Sequence, residues 1–307
     1  MRYAVIKTIY DAALKNKNIY FLTGDLGHVY EKEFKSIIPQ QYLNMGLSEQ
    51  NMIGVAAGLA LSGMKVFAYS IVPFITMRCY EQIKDDLCYQ DLDVTLIGIG
   101  GGLIYGPYGN THCSIEDIAV MRVLPNMKIV CPANPQDAQS LTQQLLKKRG
   151  PTYIRIGRGK ESMPQKEFTV KFNKGFIVKK GKDITIFSTG TILTEAEKAA
   201  QVLEEYHIST ELIHMHTVKP IDQKLILNRI KNRKAIFTLE DHNIIGGLGS
   251  AIGEIVSEKH KGKLIFKRFG VKDIYLHEIG TENYLRNAHG ISSSKVVKTI
   301  LRLLSKK

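Results

Sequence analysis

The sequence predicts an α/β protein: two three-layer domains, each built on a mainly parallel sheet. Three observations lead there. Short hydrophobic runs alternate with stretches of helical period along the whole chain, the pattern left by strands linked through helices. Several runs, DVTLIGIG at 93–100 above all, are apolar at nearly every position, as strands covered on both faces are. The rhythm then lapses over KESMPQKEFTVKFNKG (160–175) and resumes with a second alternating set. With 307 residues there is chain enough for two cores. The expected division is residues 1–160, a linker over 161–174, and residues 175–307.

In the first set, IYFLTGD (19–25) reads as a strand ending in a turn, and YLNMG as a short strand. GLSEQNMIGVAAGLALSG then reads as a helix starting at Glu49. Ser48 is its expected cap, and Met52, Ile53, Val55, Ala56, Leu59 and Ala60 form its apolar face. Gly54 and Gly58 would permit close packing, and Gly63 would stop the helix. MKVFAYSI (64–71) is a strand, followed by a helix through MRCYEQIKDDLCYQ and the buried strand at 93–100. MKIVCPAN is another strand, PQDAQSLTQQLLKKRG a helix opened by Pro and closed by Gly, and PTYIRIG the strand that completes the sheet. The second set runs DITIFSTG, helix 194–206, STELIHMH, helix 222–232, KAIFTLED, helix 249–258 and LIFKRFG.

Composition narrows the function. A hydrophobic share of 44% with 23% charged residues belongs to a globular chain and excludes disorder. No stretch approaches the roughly 20 apolar residues of a membrane span, and the N-terminal run YAVI is too short for a secretory leader, so a cytoplasmic protein is expected. The net charge of +13 comes largely from lysines scattered through FIVKKGKD, RIKNRK and EKHKGK, without interleaved aromatics. That pattern fits phosphorylated small molecules or an acidic partner subunit better than nucleic acid. Cys79, Cys88, Cys113 and Cys131 stand singly and read as reduced thiols, since no CxxC pair occurs. GGLGSAIG (246–253) has a dinucleotide-like glycine spacing, but it lacks a convincing βαβ start and a ribose-binding acid downstream, and a tight strand-to-helix turn is enough to explain the glycines. His112 beside Cys113 is not a nucleophile–base pair by adjacency alone.

Glu49 is ambiguous on local pattern. A carboxylate in the first turn is favoured by the helix dipole, so helix punctuation and a cofactor acid both remain open. The wider order of motifs adds to this reading. GLSEQNMIGVAAGLALSGMKVFAYSIVPF, RCYEQI, YGNTHCSIEDIAVMRVLPNMKIVCPANPQDA and GPTYIRIGRG together resemble the pyrimidine-binding domain of the transketolase family across residues 1–160. Residues 183–307, with EDHNIIGGLGSAIGE and RFGVKD, resemble its C-terminal domain. Split transketolases and deoxyxylulose-phosphate synthase are nearest in pattern.

The resemblance implies thiamine diphosphate and Mg²⁺ as cofactors. It places Glu49 at the aminopyrimidine ring nitrogen, where a dry pocket favours sharing a proton with the ring. Asp25 of TGDLGH would lie near the cofactor at a subunit boundary, with Leu26 as the apolar wedge that keeps the cofactor bent. Phe74 would stack on the pyrimidine, His112 would face the reacting centre, and Arg158 of RIGRG would grip a substrate phosphate. Arg155 is a weaker candidate for that grip, and His242 has no assigned role.

The pattern also departs from the family. Tyr108 stands where relatives carry a hydroxyl-binding Asp, glycine near position 100 replaces a histidine, and Met77 replaces an aromatic. These changes remove polar contacts from the substrate side. The diphosphate- and metal-binding GDG…N motif is missing; GDL at 24–26 with Asn51 is a coincidental near match, and this chain is expected to supply no metal ligand. A separate N-terminal subunit carrying that motif is therefore expected, in an α₂β₂ assembly. The implied activity is transfer of a two-carbon ketol unit from a ketose to an aldehyde. A decarboxylating ligase using an α-keto acid, and a catalytically silent subunit, are the alternatives.

Overall fold

The computed structural model describes residues 1–158 and 170–305; residues 161–169 of the expected linker lie outside that set. The first sheet is formed by β1 (Ile19–Thr23), β2 (Tyr42–Asn44), β3 (Lys65–Ile71), β4 (Val94–Ile99), β5 (Lys128–Val130), β6 (Thr152–Ile156) and β10 (Thr217–Lys219). Their order is β10-β5-β6-β4-β3-β1-β2, parallel except for β10. The second sheet holds β7 (Phe176–Lys179), β8 (Ile184–Thr189), β9 (Thr210–His214), β11 (Ala235–Asn243) and β12 (Ile265–Val271). Its order is β12-β11-β8-β9-β7, with β7 the antiparallel edge.

Helices cover both faces, which is why the central strands are apolar throughout. In β4, Leu96 packs with Met52 and Ile53 of α3 (Glu49–Leu61). Its neighbours Ile97 and Ile99 point the other way, into the layer of α1 (Arg2–Ala13) and α7 (Pro135–Leu145). The second sheet is sandwiched likewise. Ile186 and Phe237 face α8 (Leu193–Glu205) and α12 (Ser293–Leu304). Phe187 and Ile236 face α9 (Gln223–Asn232) and α10 (Leu248–Lys259).

Four local expectations are corrected. PTYIRIG does not complete the first sheet, because β10 from the second half adds to β5 through Thr217 and Lys219. The helix expected through MRCYEQIKDDLCYQ is broken. It becomes α4 (Val72–Thr76), a turn at 77–79, α5 (Tyr80–Gln82) and a π-helical stretch Ile83–Cys88. Ser48 sits at the N-cap of α3 but its side chain makes no capping bond. Gly54 and Gly58 are exposed with nothing near their Cβ positions, so they bring no neighbour close within this chain. All four cysteines are buried and unpaired, with burial pushing each thiol up to about 12. Among the described residues no helix is long and apolar enough to cross a membrane.

Buried charges join the two halves. α6 (Asp117–Val123) places the Asp117 carboxylate 2.7 Å from Arg155 Nε, with the Tyr153 hydroxyl donating to it at 2.6 Å. Arg155 also donates to the carbonyls of Ser114 (3.1 Å) and Asp241 (2.8 Å), the latter on β11. The Asp241 carboxylate in turn pairs with Arg286 at 2.8 Å on α11 (Glu282–Ala288). His242 receives the Ala119 amide on Nε2 at 3.3 Å and donates from Nδ1 to the Asn243 carbonyl at 2.7 Å, one tautomer serving both. Its place is thus between the halves, as a bracket from β11 to α6.

Breaking a buried pair strands the surviving charge, which costs about 3–5 kcal/mol. Asp117→Asn keeps the shape and removes the charge, so the urea midpoint should fall by a corresponding amount; an unchanged midpoint would show that Arg155 is otherwise satisfied. Acid should also weaken the fold. Burial and the neighbouring His214 hold His216 down to about 3, and burial holds His28 down to about 4, against an ordinary value of 6.5. The unfolded chain takes up these protons first. Stability is therefore complete above pH 6.5 and declines as pH falls toward 4 and then 3, by about 1.4 kcal/mol per unit of displacement. Urea melts at pH 7, 6 and 5 read the onset, and His216→Asn should flatten that slope.

Candidate active site

The site lies at the carboxyl ends of the parallel strands of the first sheet, where the strand-to-helix turns converge. Glu49 opens α3, and its carboxyl group points inward with no exposed surface. Ser70, on β3, donates its hydroxyl to Glu49 Oε1 at 2.9 Å. Arg78 donates from Nη1 to Oε2 at 2.7 Å. Gly24, just past β1, leaves the room this carboxyl needs: a Cβ there would come within 3.2 Å of both Glu49 Oε1 and Ser70 Oγ. An isolated buried carboxylate is costly, and these donors remove that cost.

Arg78 touches a second expected site residue. Its guanidinium carbon lies 4.2 Å from the ring centroid of Phe74, which α4 holds half-buried. The Phe74 ring meets His112 at 5.3 Å and 75°, edge to face. His112 is half-buried, with Nδ1 3.0 Å from Thr111 Oγ1, and its ring lies 5.4 Å from Tyr108 and 6.4 Å from Tyr105. The exposed Arg158 places its guanidinium 5.2 Å from the Tyr105 ring and 5.8 Å from the Tyr108 ring. Glu49, Arg78, Phe74, His112, Tyr108 and Arg158 thus form one continuous strip, from a buried acid to an exposed cation, with Arg78 as the link between the acid and the ring.

Asp25 and Leu26 stand apart from that strip. Asp25 has the left-handed φ of +55° directly after Gly24, and its exposed carboxylate accepts from the Asn44 amide at 2.9 Å. Leu26 is half-buried against the aromatic core beneath β1. Arg155 does not join either, being committed to Asp117 and the carbonyls between the halves.

Three participants leave little trace in the sequence. Ser70 and Arg78 are ordinary residues until the fold brings them to Glu49, across 21 and 29 positions. Tyr105 explains the glycine at 100. Gly100 has φ +82°, and a Cβ there would fall 1.9 Å from Tyr105 Cε2, so the tyrosine ring fills the space a side chain would need. The paired signal, Gly at a strand end with Tyr five residues on, gains meaning only with the loop in view.

An aminopyrimidine requires a hydrogen-bonding acid at its edge and an apolar face beneath it. Glu49 and Phe74 fit that requirement, because one planar group, the Arg78 guanidinium, already reaches both at once. Among the described residues no group of three or more His, Cys, Asp or Glu is placed to hold a metal ion.

Comparison with known proteins gives the family of the chain. The transketolase pyrimidine binding domain matches residues 1–162, and the transketolase C-terminal domain matches residues 173–296. A putative transketolase C-terminal section from Methanocaldococcus jannaschii is 34% identical over 100% of this chain and 96% of its own length. One of the subunits of an apulose-4-phosphate transketolase, from Actinobacillus succinogenes, is 35% identical, covering 89% of this chain and 86% of that one. A solved structure described as a split gene transketolase, in an inactive β4 tetramer, is 32% identical with a TM-score of 0.87, covering 99% of this chain and 97% of that one. With both domains matched in order and relatives of its own length, this chain belongs to the transketolase family.

Proposed function

We propose that this chain is the pyrimidine-binding subunit of a split transketolase that moves a two-carbon ketol unit from a ketose to an aldehyde. The observation that carries the reading is the buried Glu49 carboxyl joined to the Phe74 ring through one guanidinium, on a chain similar over nearly its whole length to a transketolase C-terminal section and to a split gene transketolase structure. The partner would be a separate chain that holds the diphosphate and Mg²⁺, in an α₂β₂ assembly. Two features support a partner. The sequence carries no GDG…N stretch, and the near match is spent elsewhere, with Gly24 packed on Glu49 and Asn51 exposed on α3.

When bound, thiamine diphosphate supplies a thiazolium carbanion able to accept and release the ketol unit. Glu49 would hydrogen-bond the ring nitrogen through Oε2 and hold the proton shared there. Phe74 would fix the ring plane by stacking. His112, in edge contact with Phe74, would give and take a proton beside the reacting carbonyl. Arg158, with Tyr105 and Tyr108 beneath it, would receive a phosphate at the mouth, where a planar guanidinium binds two oxygens at once. Asp25 and Leu26 would border the cofactor from the turn after β1. A catalytically silent subunit would have no need of a buried acid beside an aromatic face.

In the assembled two-chain enzyme, Glu49→Gln should lower kcat by about 10²–10⁴-fold while the thermal midpoint of this chain holds. Turnover close to that of the unaltered enzyme would remove Glu49 from the chemistry. The donor is decided by parallel incubations with a ketose phosphate and with pyruvate. Ketol transfer gives a new sugar without CO₂, whereas CO₂ release from pyruvate would mark a decarboxylating ligase. Arg158→Met should raise KM for a phosphorylated substrate by about tenfold or more with a smaller change in kcat.

A further inference from the structure

We infer that Arg78, through its contacts with Glu49 and Phe74, holds the place that the aminopyrimidine would need and must swing out for the ring to enter, so that it sets cofactor affinity by competing for those two residues. The inference rests on the reading of those two residues given above. Three features of the structure support it. First, Arg78 makes the two contacts that a pyrimidine ring in that seat would need. One N–H reaches Glu49 Oε2 at 2.7 Å, and the guanidinium lies over the Phe74 ring at 4.2 Å. Guanidinium is flat and delocalised, so it spans the Phe74 face and the Glu49 edge much as a ring would, although it only donates to the carboxylate where the ring nitrogen would share the acid's proton.

Second, the two ends of the ion pair differ in freedom. The Glu49 side chain has 0% of its surface exposed, whereas that of Arg78 has 43%. The carboxyl cannot leave, but the guanidinium can turn to water at little solvation cost. Third, the backbone below is anchored while the side chain is not. Arg78 lies in the turn at 77–79 that separates α4 from α5. Its own amide bonds to the Pro73 carbonyl at 3.3 Å, and the Cys79 thiol to the Phe74 carbonyl at 3.0 Å. Movement is therefore confined to one long side chain, with Phe74 left in place.

The energetic reason is the buried acid itself. The Glu49 carboxyl is served among the described residues by the Ser70 hydroxyl and by Arg78, and a buried carboxylate without a cation is expensive. The Arg78–Glu49 pair stabilises the chain, and a ring that takes its place would have to offset that stabilisation. The observed dissociation constant is the intrinsic one divided by the fraction of chains with the seat open.

The test uses the assembled two-chain enzyme, with thiamine diphosphate titrated by calorimetry in the presence of Mg²⁺. Arg78→Met should tighten the dissociation constant by about tenfold or more. Arg78→Lys, which keeps the charge but loses the flat stack, should tighten it by less, and it serves if the methionine variant folds poorly. On this chain alone, Arg78→Met should lower the thermal midpoint, and adding Glu49→Gln should restore much of the loss. Unchanged or weaker cofactor binding in both Arg78 variants would overturn the inference. Failure of the underlying reading looks different: Phe74→Ala and Glu49→Gln would then leave the dissociation constant where it was.

Discussion

A carboxylate with no exposed surface has to be solvated by the protein, and the architecture around Glu49 follows from that demand. The first turn of α3 brings the acid to the carboxyl end of the sheet. A glycine at 24 is needed so that β1 can end against it, and Ser70 at the end of β3 supplies a neutral donor. Arg78 supplies the cation, and its guanidinium in turn lies over Phe74. The break of the helix at 77–79 lets Arg78 reach back toward the strand ends. In water the same groups would contribute little; held dry, each is needed by the others.

The outer part of the strip depends on the docking of the two halves. Arg155 lies inside the first sheet, pairs with Asp117 and reaches the Ser114 and Asp241 carbonyls. It also underlies the turn after β4, where a Cβ at Gly101 would strike Arg155 Nε at 2.4 Å and one at Gly102 would meet the Asp241 backbone oxygen at 2.7 Å. That close approach fixes the loop carrying Tyr105, Tyr108 and His112. Two arginines on the same strand end therefore serve unlike purposes: Arg155 sets the loop from within, and Arg158 stays at the surface beside the tyrosine rings.

The changes on the substrate side form one rearrangement. Glycine at 100 admits Tyr105, whose ring contacts Tyr108 at 5.8 Å and His112 at 6.4 Å. Polar side chains have given way to aromatic surface near an exposed arginine. In the proposed enzyme such a mouth would discriminate less by sugar hydroxyls and more by an anionic group and apolar contact, because an unpaired hydroxyl-binding group is what penalises the wrong substrate most.

The sequence by itself determined the α/β layering, since strands covered on both faces must be apolar throughout and the helices between them must keep a single apolar stripe. The resemblance carried by its motifs, taken in order, pointed to Glu49, Phe74, His112 and Arg158 as candidates, and the structure brings them into one strip with Arg78. Periodicity did not expose β10, a three-residue strand drawn from the second half, nor the break at 77–79. The Arg78–Glu49 pair, the Tyr105 ring over Gly100 and the Arg155–Asp117 pair were decided by tertiary structure alone. Each joins residues whose separation along the chain follows no repeat. Their partnership is set by which strand ends meet, and local sequence preference carries no record of that meeting.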